Sequence, residues 1–125
     1  MIRKYDSTKD LVGKLNTDVI NLLNLKLKSQ NIYIGGTNKK HIREKHKKEF
    51  DKYMDRLPEI ISNPTYVGGH PSQGGIEFIK RFDENVLVAV RASKKDVLYV
   101  RSMYCVTEGK IEKYLNEGTI KKIKP

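Results

Sequence analysis

Residues 76–106 read IEFIKRFDENVLVAVRASKKDVLYVRSMYCV. Three apolar runs, 76–82, 86–92 and 96–106, are separated by the polar groups Asp83-Glu84-Asn85 and Ser93-Lys94-Lys95. Val, Ile, Phe and Tyr dominate the runs, and these side chains suit a pleated, half-buried strand. The separators are short enough for hairpin turns, so the stretch predicts a three-stranded antiparallel meander.

Helical spacing lies N-terminal to the meander. Leu11, Val12, Leu15, Val19, Leu22 and Leu23 follow a helical stripe and predict a helix over 10–24. Asn31-Ile32-Tyr33-Ile34 predicts a strand, and Gly35–Asn38 a loop. A second helix is expected over 39–56, capped by Thr37 or Asn38. Its inward stripe is Ile42, His46, Phe50 and Leu57, while Lys39, Lys40, Arg43, Lys47, Lys48 and Lys52 are expected to face water. Pro58 starts a new turn over 58–61, and Asn63-Pro64 ends it. Tyr66-Val67 can form a short strand within an otherwise loop-like 65–75. After the meander, Thr107 can cap a helix over 110–116 that Gly118 ends. The architecture is α+β, with N-terminal helices packed on an antiparallel sheet. One domain over 1–125 is expected, with flexible ends at 1–10 and 120–125.

Composition narrows the function classes. Among the 125 residues, Lys and Arg number 25 against 15 acids, a formal charge of +10. That excess calls for an anionic partner, with nucleic acid first and an acidic protein or membrane surface as alternatives. Cys105 is the single cysteine, which excludes an internal disulfide and a multi-cysteine zinc knuckle. No apolar run approaches the ~18 residues of a membrane helix, and MIRKYDSTKD carries no signal-type apolar region. A cytoplasmic protein is expected, or a module of a longer chain delivered into a target cell's cytoplasm.

The chemistry-bearing residues interrupt apolar patterns. On one helix, five positions turn His41 and His46 about 140° apart, not the shared face a zinc pair needs. His46 shares a stripe with Ile42 and Phe50, so it either packs in the core or lines a cleft. Strict alternation puts Leu98, Val100, Ser102, Tyr104 and Val106 on one face of the last strand. Ser102 and Tyr104 interrupt that face and need partners or a ligand. Lys80 interrupts the face of Ile76, Phe78 and Phe82, Arg81 points the other way, and Arg91 ends its strand. A His, one or two cations and two hydroxyls are the parts of a metal-independent ribonuclease site. RNA brings its own 2′-OH nucleophile, His moves protons near neutral pH, and Lys or Arg meets the phosphate charge. No two-metal carboxylate cluster is evident, and no cofactor is expected.

The runs LVGKL, NIYIGG, HIREKH, LPEIISNPTYV, IEFIKRF, VLVAVRA and VLYVRSMY, in this order, resemble the phage-associated members of the barnase–EndoU–colicin–RelE-like (BECR) nuclease superfamily. The resemblance covers about 11–115. It implies helices on a curved antiparallel sheet and metal-independent ribonuclease activity in phage, mobile-element or toxin settings. Carried over, the family's helix histidine matches His46, with His41 the first of the pair. Its first-strand cation matches Lys80 or Arg81, its last-strand hydroxyl Ser102, and the following aromatic Tyr104. The expected catalytic set is His46, Lys80, Arg91 and Ser102; His41, Arg43, Arg81 and Tyr104 are expected to bind RNA, tRNA being one candidate. An acidic antitoxin or immunity protein is the expected protein partner. The competing readings are a noncatalytic nucleic-acid module, in which Tyr33, Tyr66 or Tyr99 could stack on bases, and a module for an acidic protein.

Overall fold

The computed structural model describes residues 2–23, 30–70, 75–93, 95 and 97–123. In chain order the elements are β1 (Asp10–Lys14), α1 (Thr17–Leu23), β2 (Asn31–Ile34), α2 (Gly36–Lys45), α3 (Lys47–Tyr53), a 3-10 turn (Met54–Arg56) and α4 (Leu57–Ser62). They continue with β3 (Tyr66–His70), β4 (Gly75–Arg81), β5 (Asn85–Ala92), β6 (Leu98–Val106), α5 (Glu108–Glu117) and β7 (Ile120–Lys122). The strands form one sheet in the order β1-β2-β6-β5-β4-β3-β7. The expected α+β class holds. The sheet is mixed rather than wholly antiparallel, because β2 runs parallel to β6.

The meander forms, and β4 and β5 alternate as predicted. Val86, Val88 and Val90 point into the main core, while Leu87 points to the other face. The main core lies under the helices, where Ile42, Phe50, Met54, Leu57, Ile60 and Ile61 are fully buried. Burying each such side chain contributes about 1.5–3 kcal/mol. On the other face, Ile111 of α5 covers Ile79, Leu87, Val106 and Ile120. The Thr107 hydroxyl accepts from Lys110 N, and Gly118 ends α5 in the left-handed region at φ 76°, as the cap and stop signals predict.

The helix expected over 10–24 is instead a strand followed by a shorter helix. The break lies at Asn16, whose side chain accepts from Asp18 N at 2.7 Å and starts α1 there. Upstream, β1 pairs with β2 around a bulge between Leu11 and Gly13. A Cβ on Gly13 would lie 3.0 Å from Ile61 Cγ2, so the missing side chain lets α4 pack closely on β1. The other end of the expected helix, Asn24, lies outside the described residues.

The second helix also divides. The backbone leaves helical geometry at His46 (φ −138°, ψ 57°), which ends α2 and starts α3. β7 pairs with β3 along Tyr66–Gly68. At the other end Ile2 joins the main core.

Lys39, expected in water, is 1% exposed. Its ammonium donates to the carbonyls of Arg3 (2.8 Å), Asp6 (3.3 Å) and Thr8 (2.8 Å) and to Asp10 Oδ2 (2.7 Å). These acceptors replace the water it loses on burial.

Candidate functional site

β2 pairs with β6 only at Ile32–Leu98 and Tyr33–Tyr99. Beyond Tyr99 the edge of β6 is flanked by α2 and α3, and the break between those helices sets His46 there. The His46 ring lies 5.5 Å from the Tyr104 ring, tilted by 32°. Its Nδ1 is 3.8 Å from Glu49 Oε2, one helical turn on. Because the helix breaks, the 140° separation no longer applies, and the His41 ring comes within 6.5 Å of His46. Among the described residues no three His, Cys, Asp or Glu side chains are grouped to hold a metal ion.

A second break in periodicity shapes β6. Ser102 pairs with Ala89 but Val100 with Val90, which leaves Arg101 as the extra residue of a β-bulge. The face expected to run from Leu98 to Val106 is therefore split. Leu98, Val100 and Met103 point into the main core, while Tyr104 and Val106 join the cluster under α5. Ser102, half-buried, lies in register with Ala89 and, one strand further, Glu77. Burial raises the Tyr104 hydroxyl above its ordinary value, and the charge of Glu77 adds to this. At neutral pH it remains a hydrogen-bond donor.

Arg101 and Arg91 converge. With Asn38, Ala92, Ser93 and Tyr99 they line a pocket of about 290 Å³. They also line an adjoining one of about 220 Å³ with Glu77 and Ala89. Two guanidiniums on one pocket can bind a phosphate, and further along β6 lie the Ser102 hydroxyl and the Tyr104 phenol with His46 against it, groups that can move protons.

The other expected site residues lie elsewhere. Lys80 is on the main-core face of β4 and donates to Asn63 O at 2.8 Å, which caps the last turn of α4. Arg81 pairs with Glu108 at the start of α5. The Arg43 guanidinium lies 5.5 Å from the Tyr5 ring centre. Sequence reasoning missed Arg101, because strict alternation conceals a bulge. It noted Glu49 only as a neighbour of the stripe, although its i,i+3 spacing from His46 on α3 was a usable signal.

A second polar cluster borders the site. Lys52 reaches Asp83 Oδ2 and Glu84 Oε2, both at 3.2 Å, and Tyr53 donates to Glu84 at 2.6 Å. Burial first and Glu84 second push the Tyr53 hydroxyl up to about 12. The same two causes push the Cys105 thiol up to about 12. Both groups stay protonated near neutral pH, so this cluster joins α3 to the β4–β5 turn and offers no thiolate nucleophile.

Searches of curated proteins and of solved structures return no match. A family model, phage-Barnase-EndoU-ColicinE5/D-RelE like nuclease 3, matches residues 9–113, which includes every residue of the site just described. The sheet and its covering helices agree with that match, and the chain belongs to this family of BECR nucleases.

Proposed function

We propose that this nuclease is a metal-independent endoribonuclease whose chemistry centres on His46. The observation that carries the reading is His46 held between Tyr104 and Glu49, with His41 6.5 Å away. One histidine takes the proton of the RNA 2′-OH as its oxygen bonds to phosphorus. The other protonates the 5′-oxygen as the P–O5′ bond breaks, leaving a 2′,3′-cyclic phosphate. Glu49, 3.8 Å from His46 Nδ1, orients the ring. Arg91 and Arg101 meet the charge that builds on the phosphate, and the Ser102 and Tyr104 hydroxyls donate to its non-bridging oxygens. Lys80 and Arg81, engaged by Asn63 and Glu108, have no part in this scheme.

The net charge of +10 supports an RNA substrate and, in a toxin setting, an acidic antitoxin or immunity protein as inhibitor. The nucleophile is tested with an RNA oligonucleotide and its all-2′-deoxy analogue. Cleavage of the RNA alone, with cyclic phosphate ends, is expected. Cleavage of both at similar rates would refute 2′-OH attack.

A further inference from the structure

Tyr33 and Tyr99 sit side by side on neighbouring strands, on the face turned away from the main core. Tyr33 pairs with Tyr99, and Tyr99 pairs with Arg91, so the three form one row across β2, β6 and β5. Their chain neighbours Ile32, Ile34, Leu98, Val100 and Val90 are buried on the opposite face. The two tyrosines are half-buried, and their ring centres lie 6.3 Å apart with planes tilted by 44°. Cations surround the pair. The Lys9 ammonium lies 4.6 Å from the Tyr33 ring centre, and Arg91 and Arg101 share the 290 Å³ pocket with Tyr99. Asn38 lines the same pocket; its Oδ1 accepts from Gly35 N at 3.0 Å, which fixes the amide.

From this row we infer a binding platform for single-stranded RNA, on which Tyr99 and Tyr33 stack two bases of the strand that runs on from the scissile phosphate. Aromatic rings on adjacent strands of an open sheet face suit this use, because every base has a flat face to stack. A 6.3 Å spacing is well beyond the ~3.4 Å between stacked bases of a duplex, and the tilt fans the two bases apart. The platform therefore takes a splayed strand and excludes a helix. Lys9 meets a phosphate at the Tyr33 end, Arg91 and Arg101 lead the strand from Tyr99 to the scissile phosphate, and the fixed Asn38 amide offers its Nδ2 hydrogens to a base edge. Tyr99 and Tyr104 pair with Arg91 and Leu87, four residues apart on β5, so about 13 Å of strand separates them. The stacked bases thus lie beyond the chemistry and set which RNA shape is cut. The inference rests on RNA being the substrate, as proposed above.

The test uses 2′-O-methyl oligonucleotides, which lack the nucleophile, so binding is read without cleavage. Fluorescence anisotropy compares a single strand with the same strand in a duplex. Wild type should bind the single strand more tightly. Tyr99→Leu and Tyr33→Leu should each weaken single-strand binding roughly 5- to 100-fold, the loss expected for one base stack. Tyr99→Phe, which keeps the ring, should bind as wild type. Tyr5→Ala, whose ring packs on Phe50 rather than on this face, should also bind as wild type. Equal affinity for strand and duplex, no binding to either, or wild-type binding by both leucine variants would overturn the platform. A failure of the proposed chemistry reads differently: natural RNA stays intact while the tyrosine dependence of binding remains. A Leu variant whose circular dichroism differs from wild type is replaced by Tyr→Met at the same position, with the same expected loss.

Discussion

Lys39→Met removes a buried ammonium while keeping most of the side chain's length and apolar stem. Four acceptors lose the ammonium as a donor: the carbonyls of Arg3, Asp6 and Thr8, and Asp10 Oδ2. Four charge-assisted bonds at ~1.5–3 kcal/mol each set a ceiling of roughly 6–12 kcal/mol. The true cost is lower, because Arg3, Asp6 and Thr8 are exposed residues whose carbonyls can turn to water. Asp10, 8% exposed, keeps only its bonds from Arg3. Breaking a buried pair of this kind costs about 3–5 kcal/mol. At this chain length that lowers the melting temperature by roughly 10–20 °C, read by circular dichroism. A loss below ~1 kcal/mol would refute the argument that the ammonium holds segment 2–10 in place.

The same bond gives a pH signature. The Lys39 ammonium, backed by Arg3, holds the Asp10 carboxyl far below the ordinary carboxylate range, against the opposing effect of its burial. A carboxylate depressed on folding contributes stability that is complete above its unfolded value near ~3.9 and is lost as pH falls toward the folded value. Wild type should therefore lose stability more steeply than Asp10→Asn on acidification below about pH 4. Parallel curves would contradict this.

Arg101→Ala should raise KM for RNA and reduce the slope of log affinity against log salt by roughly 0.7, the share of one phosphate on a single strand; an unchanged slope would take Arg101 out of the interface. Gly68→Ala places a Cβ 2.6 Å from Thr119 O and 3.0 Å from Ile120 Cγ2, so β7 should be pushed from β3 at a cost of about 1–3 kcal/mol. Faster proteolysis around 119–123 would report the release, and wild-type melting would refute it. Cys105 is exposed as a residue, yet its raised thiol should alkylate at neutral pH at least about a hundredfold slower than a free thiol. Glu84→Gln should speed the reaction, and no change would mean that Glu84 does not act on the thiol.

Legibility followed the range of the forces involved. β4 and β5 carry a period of two, and α5 is bracketed by Thr107 and Gly118, so local signals sufficed there. Leu11, Val12 and Leu15 fit a helical stripe equally well, and pairing with β2, a long-range contact, decided for a strand. Lys39 read as a surface lysine because its acceptors belong to a backbone loop that has no sequence signature. The break at His46 carries no Gly or Pro, so a single continuous helix was the natural expectation. His46, Ser102 and Tyr104 were legible as polar interruptions of apolar stripes. Lys80 was also such an interruption, but it lies at a strand end beside Asn63, where it caps a helix. Arg101 could not be found by alternation, since the bulge that re-aims it is visible only in the register with β5.

The most direct test incubates purified protein with total RNA and with a tRNA pool in excess EDTA, beside His46→Ala. Cleavage by wild type alone, with 2′,3′-cyclic phosphate ends, is the expected result. Equal cleavage by His46→Ala, or wild-type cleavage that appears only when a divalent metal is restored, would contradict it.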